Sequence, residues 1–180
     1  MTIRPADPDR DAAACAAIYA PSVESTPISF ELVPPDAAEF ARRIAKYSAT
    51  HQFLVAEERG EVVGYAYACR WAERAAYDWS VEVSVYVGAA HHGRGVGRTL
   101  YAELFDRLRA QGFRVAVAGV TLPNPASVGL HESMGFERSA TFRDIGWKEG
   151  AWHDVGYWQL YLQPDAADPP PAPLPPGPTA

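Results

Sequence analysis

The chain has 180 residues, 48% of them hydrophobic, which is enough to bury one ordinary core and not two. Its net charge is -6 and its 16 Lys and Arg residues are scattered along the sequence. This pattern excludes a general nucleic-acid surface, because phosphate binding needs a concentrated basic face. A small-molecule ligand fits the composition better.

The same sequence lacks the marks of a membrane or secreted protein. It has no apolar run long enough to cross a bilayer and no charged-then-apolar signal pattern at its N-terminus. Cys15 and Cys69 are far apart, so we expect buried thiols rather than a disulfide or a metal pair. We therefore expect a cytoplasmic protein with no membrane partner.

The first segments predict a short strand followed by two helices. The strand covers Thr2–Pro5. Asp7 or Asp9 can cap the first helix, which Pro21 is expected to end or bend. Pro34–Asp36 is typical of the entry to the second helix. A helix–loop–helix unit of this kind can form one wall of a pocket.

A hairpin and a central strand are expected next. Gln52–Glu58 and Glu61–Arg70 are rich in β-branched and aromatic residues and flank Gly60, which predicts a turn with a positive φ there. In Trp79–Val87 every second residue is a valine, so four valines share one face of the predicted strand. The opposite face carries polar groups: Glu82, Ser84 and Tyr86.

Three glycines follow where the central strand turns into a helix: Gly93, Gly95 and Gly97. Their spacing allows successive backbone N–H groups to point inward at the positive end of that helix, so the natural ligand is a pyrophosphate. The spacing is neither the dinucleotide fingerprint nor a Walker loop. The helix runs to Gln111, and Gly112 is placed to end it.

The remaining segments predict a strand, a helix and a terminal hairpin. Val115–Leu122 is a nearly continuous apolar run, typical of a strand covered on both faces, and Asn124 can cap the helix that follows it. Arg138–Ile145 and Trp152–Leu162 are strand-like around a loop at 146–150. We expect a folded domain over residues 1–163 and a Pro-rich disordered tail over residues 164–180.

Several of these segments resemble known proteins. His92–Gly97 resembles the pyrophosphate loop of the GCN5-related N-acetyltransferase (GNAT) superfamily, and Asn124–Phe136 resembles its later Asn-helix-Gly-Phe element. Within the superfamily, Ala75–Val87, Leu122–Glu132 and Trp152–Gln159 resemble phosphinothricin N-acetyltransferases and the related acetyltransferases of methionine sulfone or sulfoximine. The resemblance covers nearly all of residues 2–163.

The resemblance implies a fold and an activity. The fold is an α/β (α+β layered) GNAT fold, whose mixed, mostly antiparallel sheet of about six or seven strands is flanked by about four helices. The implied activity is transfer of an acetyl group from acetyl-CoA to the α-amine of a small amino-acid-like substrate such as phosphinothricin or methionine sulfoximine or sulfone. No metal is expected, and similar proteins form homodimers.

Acetyl transfer to an amine needs a base for the amine and a proton for the departing thiolate. Glu82, beside an aromatic-rich loop, suits the first task, because partial burial would raise its pKa. The competing interpretation is an ion pair with a residue such as Arg74. His131 shares a helix face with Asn124 and Ser127 by its spacing, and by the resemblance it is the proton-transfer partner. A structural histidine is the competing interpretation.

The resemblance also implies the coenzyme residues. The backbone of Val85–Val87 would pair with the pantetheine arm, and His92–Arg98 would hold the pyrophosphate. His92 stands where glutamine or arginine is usual, which could lower coenzyme affinity. The predicted coenzyme site is Val85, Tyr86, Val87, His92, Gly93, Arg94, Gly95, Val96, Gly97, Arg98, Asn124 and Ser127.

For the amine substrate, the sequence offers Arg74 together with Phe30, Tyr77 and Tyr86 as a donor fork and an aromatic enclosure. A surface position for Arg74 is equally compatible with the sequence. Two alternatives for the whole protein stay open at this point. One is an acetyltransferase for another small amine, such as an aminoglycoside or a polyamine, and the other is a noncatalytic acyl-CoA sensor.

Overall fold

The computed structural model describes residues 1–165 and 167–177, which contain seven strands and four α-helices. The strands are β1 (Thr2–Pro5), β2 (Phe53–Glu58), β3 (Glu61–Arg70), β4 (Ser80–Val87), β5 (Val115–Leu122), β6 (Glu137–Lys148) and β7 (Ala151–Tyr161). The helices are α1 (Pro8–Glu24), α2 (Ala37–Ser48), α3 (Val96–Gln111) and α4 (Pro125–Ser133). Two short 3-10 helices cover Ala75–Tyr77 and Ala89–His91.

All seven strands form one sheet in the order β1-β2-β3-β4-β5-β7-β6. Every pairing is antiparallel except that of β4 with β5, which is parallel. Such a parallel pair needs a long crossover, and α3 supplies it. This mixed, mostly antiparallel sheet with four helices confirms the predicted layered architecture.

The helices cover the two faces of the sheet and define two cores. On one face, α1 and α2 pack on aromatic side chains of β2 and β3, such as Phe53 and Tyr65. On the other face, α3 packs on the valines of β4, and Val81 and Val83 are buried there. The alternation predicted for the central strand therefore separates a core face from a face that carries Glu82 and Tyr86.

The parallel pair of β4 and β5 opens part-way along its length. Its last paired residues are Glu82 and Val117, yet β4 continues to Val87 and β5 to Leu122. Over these final residues each strand keeps its outer neighbour, β3 or β7, while the two inner edges separate. Backbone N–H and C=O groups at an unpaired edge need partners, so this gap is a natural place for an extended ligand.

The ends of α1 confirm the predicted cap and exclude one of the two effects predicted for Pro21. Asp7 caps the helix, and its Oδ1 accepts hydrogen bonds from the backbone N–H groups of Asp9 and Arg10 at 2.9 and 3.3 Å. Pro21 does not end the helix, which continues to Glu24. The Pro21 carbonyl still accepts from Ser25 N, so only the hydrogen bond that proline cannot donate is lost.

The terminal hairpin differs from its prediction. The turn is only two residues, Glu149 and Gly150, which have φ values of 52° and 76°. Positive φ at both central positions is the geometry that a tight hairpin favours. The predicted loop at 146–150 is therefore wrong in extent, because Gly146 and Lys148 belong to β6 and are buried.

The C-terminal segment has no helix or strand from residue 167 to 177. Its backbone nevertheless contacts the domain: the Pro171 carbonyl accepts from Trp79 Nε1 at 2.7 Å, and Leu174 exchanges hydrogen bonds with Gln111. The predicted division into a domain and a disordered tail is not tested by these contacts and stays a prediction. Residues 166 and 178–180 of the predicted tail lie outside the described part of the chain.

Candidate active site

A cleft lies in the gap between β4 and β5 and is lined by both strands and by α4. The polar groups that reach it come from opposite sides of the gap. The lining residues are Ile28, Val83, Ser84, Val85, Tyr86, Tyr101, Gly119, Val120, Thr121, Asn124, Ser127 and His131. Thus the unpaired strand edges and the predicted helix-face residues meet at one place.

Glu82 stands at the point where the two strands separate. It is half-buried, and burial raises the pKa of its carboxyl group above the usual 4.5. A β-carbon added to Gly119 would lie 3.3 Å from the Tyr157 ring, a tight contact, and 3.8 Å from Oε1 of Glu82, so the glycine leaves more room beside the carboxylate. Among the described residues Glu82 forms no ion pair, and the alternative of a pair with the exposed Arg74 is not observed.

His131 is buried in α4 with a fixed tautomer. Its Nδ1 lies 2.8 Å from the Ser127 carbonyl, which can only accept, so Nδ1 carries the proton. Its Nε2 then accepts from the Tyr101 hydroxyl at 3.1 Å. Burial lowers the pKa of His131 below 6.5, although the Ser127 carbonyl opposes this shift. The resting imidazole is therefore neutral.

The two predicted proton-transfer residues lie on opposite faces of the sheet. Glu82 shares its face with Tyr86, which packs with the α1–α2 core. His131 packs against Tyr101 and Phe136 in the core beneath α3. Because β4 and β5 separate between them, the gap joins the two faces. A reacting group held in the gap would have a carboxylate on one side and an imidazole on the other.

The glycine loop leads into the N-terminus of α3. Gly93 and Gly95 have φ values of 71° and 80°, a region that favours glycine, and a β-carbon at either position would meet no atom within 4 Å. The helix has 16 residues, and in the described chain no side chain caps its start at Gly95. Free N–H groups at the positive end of a helix form an anion site, so the loop fits a pyrophosphate.

The side chains of other residues in this loop contact the protein itself, and whether these residues also bind coenzyme stays a prediction. Val96 is buried in the core, and Gly97 allows α3 to approach α4, because a β-carbon there would lie 3.3 Å from Leu130. Arg94 reaches Glu58 at 3.2 Å. Arg98 donates to the Ser133 hydroxyl at 2.6 Å and so ties the loop to the end of α4.

His92 departs from the residues usual at its position, and the structure gives it a partner. Its Nε2 lies 2.8 Å from the Val87 carbonyl and must donate to it. This contact joins the start of the glycine loop to the end of β4. This contact does not test the predicted loss of coenzyme affinity. It gives the His92 side chain a structural role, because it holds the glycine loop against β4 without any contact with phosphate.

At the other side of the cleft, Asn124 begins α4. Its Oδ1 accepts from the backbone N–H of Ser127 at 3.1 Å, as the sequence predicted for a cap. The Ser127 hydroxyl lies 3.4 Å from Nδ1 of His131. Both Asn124 and Ser127 line the cleft with His131, so the predicted shared helix face is present.

Comparison with known proteins agrees with this architecture. The profile of the Acetyltransferase (GNAT) domain matches residues 5–156, most of the chain. Phosphinothricin N-acetyltransferase from Streptomyces viridochromogenes is 41% identical over 176 residues, which are 98% of this chain and 94% of the relative. The chain belongs to the GNAT acetyltransferase family.

Two further relatives extend the likeness. The L-methionine sulfoximine/L-methionine sulfone acetyltransferase of Salmonella typhimurium is 39% identical over 93% of this chain and 98% of its own. The acetyltransferase yncA of Salmonella typhimurium, solved with its cofactor acetyl-CoA, has a TM-score of 0.87 and 39% identity over 93% of this chain and 96% of that one. The predicted family, enzyme class and acetyl-CoA cosubstrate are confirmed.

Within this GNAT acetyltransferase, the predicted amine-binding residues are less closely gathered than the coenzyme residues. Tyr86 lines the cleft and packs edge-to-face on Tyr19 at 4.8 Å. Phe30, Arg74 and Tyr77 lie outside the lining, and all three are exposed at the surface. Ile28, two residues before Phe30, does reach the cleft.

Sequence reasoning missed Tyr101 as a functional candidate. It is not among the predicted site residues, yet its hydroxyl contacts His131. No sequence signal pairs these two residues, because they lie on different helices 30 positions apart. Thr121 and Gly119 were also missed, since a continuous apolar run gives no sign of which face opens onto a gap.

Three general properties of the described residues remain to be stated. No group of three His, Cys, Asp or Glu side chains that could hold a metal ion occurs in residues 1–165 and 167–177. None of the helices in this same part of the chain is both long and apolar enough to span a bilayer. Cys15 and Cys69 are free thiols, as expected, with Cys15 buried and Cys69 partly so.

Proposed function

We propose that this GNAT enzyme transfers the acetyl group of acetyl-CoA to the α-amine of a small amino-acid-like substrate such as phosphinothricin or methionine sulfoximine or sulfone. The observation that carries the proposal is the two-sided cleft, with Glu82 on one face of the sheet and His131 on the other. The substrate class is supported by the names of two relatives that are 41% and 39% identical over nearly the whole chain.

The coenzyme would extend from the glycine loop into the gap. The N–H groups of Gly93–Gly97 and the start of α3 would hold its pyrophosphate, and the free edge of Val85–Val87 would pair with its pantetheine arm. Asn124 and Ser127 would contact it from α4. Acetyl-CoA supplies the activated acyl group as a thioester. The free edge of β4 then gains the partners that β5 does not supply beyond Glu82.

Glu82 acts as the general base. Its raised pKa reflects a half-buried carboxylate without a compensating cation, which binds a proton more readily than an exposed one. It accepts the proton of the attacking amine directly or through a water molecule. A new C–N bond forms at the acyl carbon as the C–S bond breaks, and the thiolate leaves on the side of His131.

His131 serves the thiolate as a proton shuttle. Because its neutral ring accepts from Tyr101 at Nε2, it takes up a solvent proton at that nitrogen before it delivers one to the thiolate, and the proton that Glu82 accepts from the amine returns to solvent. The Ser127 carbonyl favours this charged form, since it accepts from Nδ1 and opposes the effect of burial. Glu82 and His131 could exchange roles without a change in the net reaction.

Arg74, Tyr77, Phe30 and Tyr86 remain the proposed amine-site residues. The exposed cation of Arg74 would attract the substrate carboxylate, and the aromatic groups would enclose its head. An aminoglycoside or a polyamine is the competing substrate. Besides Glu82 at the point where the strands separate, the cleft lining contains no carboxylate among the described residues, and the lack of an acidic cluster argues against a polycation.

A homodimer is proposed from the outer hairpin of the sheet. Trp147 and Trp152 form an edge-to-face pair at 5.3 Å and are 56% and 59% exposed, and Phe142 and Ile145 are half exposed beside them. Trp158 of the same hairpin is buried. A cluster of large apolar side chains on an edge strand is typical of an interface that a second subunit covers.

The test is the release of coenzyme A from acetyl-CoA with a panel of amines. The panel contains phosphinothricin, methionine sulfoximine, methionine sulfone, ordinary amino acids, an aminoglycoside and a polyamine. We expect the first three to give the highest kcat/KM. Preference for the aminoglycoside or the polyamine would overturn the proposed substrate class, and a Glu82→Gln variant serves as the low-activity control.

A further inference from the structure

Lys148 is a buried cation with an unusual set of partners. It lies at the end of β6 and is 6% exposed. Its Nζ donates to the Val23 carbonyl at 2.6 Å and to the Ser29 carbonyl at 2.7 Å. Within the part of the chain that the structure describes, no ion pair includes it. An ammonium group in this position is held by backbone carbonyls alone.

Such a group is costly to bury, because it gives up its hydration. Val23 belongs to the last turn of α1, where the helix dipole places negative charge, so its carbonyl is a favourable acceptor for a cation. Ser29 belongs to the connection between α1 and α2, residues 25–36, which we name the α1–α2 loop. Lys148 therefore fastens this loop to the end of α1 and to the hairpin.

The α1–α2 loop reaches the amine side of the cleft. Ile28 lines the cleft, and its carbonyl accepts from the Thr121 hydroxyl of β5 at 3.4 Å. The ring of Phe30 rests on Gly146 of β6, where any β-carbon would overlap it. The loop thus bridges β5 and β6 and lies between the Lys148 contact and the gap.

A second set of contacts fixes the same loop from the other side. The Tyr19 hydroxyl lies 2.6 Å from the Ser29 hydroxyl and donates to Glu31 at 2.9 Å. The Tyr19 ring in turn packs on Tyr86, which lines the cleft. Ser29 is consequently held at its side chain by Tyr19 and at its carbonyl by Lys148. Loss of either contact frees one side of the loop.

We propose that Lys148 is a positioning residue for the amine substrate: its buried ammonium holds the α1–α2 loop so that Ile28 reaches the amine side of the cleft while Phe30 stays packed on Gly146. The inference rests on the proposed function for its substrate. Lys148 itself touches neither the amine nor the coenzyme site. The hydrogen bonds that hold the coenzyme loop and the start of α4, of His92 with Val87 and of Ser127 with Asn124, involve no residue of the α1–α2 loop.

The chemistry separates this role from a merely structural one. Replacing the buried ammonium by an apolar side chain of similar size removes the cost of desolvating the charge, which offsets part of the loss of its two hydrogen bonds. Lys148→Met should therefore preserve the fold while it removes the hydrogen bond to the loop at Ser29 and the one to the end of α1 at Val23. The matched control is Lys46→Met, because Lys46 is the only other lysine in the chain and is exposed on α2.

The experiment measures steady-state kinetics, acetyl-CoA binding by calorimetry and amide exchange of residues 25–33 in the full chain. For Lys148→Met we expect the KM for phosphinothricin to rise about tenfold, with kcat and the coenzyme Kd within about twofold, and faster exchange in the loop. Lys46→Met should match the wild type. Unchanged KM and unchanged exchange in Lys148→Met would overturn the proposal.

Two further variants keep the test decisive. Gly146→Ala displaces the Phe30 ring and leaves Lys148 in place, so it should give the same rise in the KM for phosphinothricin. This variant tests the role of the loop even where Lys148→Met does not fold. In a Phe30→Ala background, Lys148→Met should add little to KM, because both act through one loop. Fully additive effects of Phe30→Ala and Lys148→Met on KM would refute the proposal that both act through one loop. If the wild type acetylates none of the amino-acid analogues, the proposed function fails, while loop exchange still tests the role of Lys148.

Discussion

The hydroxyl of Tyr101 lies 3.1 Å from Nε2 of His131 and donates its proton to that nitrogen. The direction follows from the opposite side of the ring, where Nδ1 is committed to the Ser127 carbonyl at 2.8 Å. Both ring nitrogens thus have partners that suit a neutral imidazole. The contact joins α3 to α4, so the charge state of the proposed shuttle depends on how these two helices pack.

Tyr101→Phe should raise the pKa of His131, because it removes a hydrogen bond that favours the neutral ring. We expect kcat to fall by about tenfold, the effect of one net hydrogen bond. An NMR titration of the imidazole together with steady-state kinetics measures both effects. Tyr161→Phe, at an exposed tyrosine, is the control. An unchanged His131 titration would contradict the assigned hydrogen bond.

Glu82→Gln and His131→Ala should each lower kcat by about a hundred- to ten-thousandfold, the usual contribution of a general acid or base, with coenzyme affinity within a few fold. In the wild type, kcat/KM should rise with pH through an acidic limb, because Glu82 must be ionised to accept a proton and burial raises its pKa. Glu82→Gln should alter this limb.

The measurement is a pH-rate profile of the wild type and both variants with phosphinothricin or methionine sulfoximine. Glu137→Gln is a suitable control, since that carboxylate is exposed at the start of β6. Near wild-type kcat in both variants from about pH 6 to 9 would show that positioning alone drives the reaction.

The burial of Glu82 also affects the stability of the folded protein. Because the folded-state pKa of Glu82 lies above its unfolded value of 4.5, its contribution to stability is fully present below pH 4.5 and is lost as pH rises through the folded pKa. Glu82→Gln should therefore be more stable than the wild type at neutral pH and no more stable below pH 4.5. Urea unfolding at several pH values measures this difference, and a destabilised variant at neutral pH would contradict it.

The sequence predicted those elements whose signals are local. The alternating valines of β4, the glycines before α3 and the Asn124 cap each specify their own conformation within a few residues. Their assembly into one cleft then followed from the family resemblance. The separation of β4 from β5 beyond Glu82 has no local signature, because it depends on how far two distant strands remain paired.

The hairpin shows why other features could not be predicted. Gly146 looks like the start of a turn, but it is a packing glycine for Phe30, more than a hundred positions earlier in the chain. The error moved Lys148 into a loop and concealed its buried ammonium. Contacts that join distant segments, such as those of Lys148 and Tyr101, are invisible to periodicity and spacing.

The proposed homodimer predicts a particle of twice the 19.6 kDa of one chain in sedimentation at micromolar concentration. Trp152→Glu should shift it to the monomer, because a charge would enter the apolar cluster of the outer hairpin. Leu174→Glu, on the exposed C-terminal segment, is the control. A 19.6 kDa particle in the wild type would refute the dimer.

Gly95→Val tests the coenzyme loop. Gly95 has a φ of 80° and opens the N-terminus of α3, so a bulky, β-branched residue should distort the loop and block its N–H groups. We expect the Kd for acetyl-CoA in calorimetry to rise by at least about tenfold, while circular dichroism and the fold stay largely unchanged.

The control must carry the same backbone strain at another place. Gly150 has a φ of 76° and, like Gly95, would place a β-carbon in open space, but it lies in the tip of the β6–β7 hairpin. Gly150→Val should therefore lose a similar amount of stability and keep wild-type coenzyme affinity. If both variants bind acetyl-CoA as the wild type does, the glycine loop is not the pyrophosphate site. If both lose affinity equally, strain rather than the loop explains the loss.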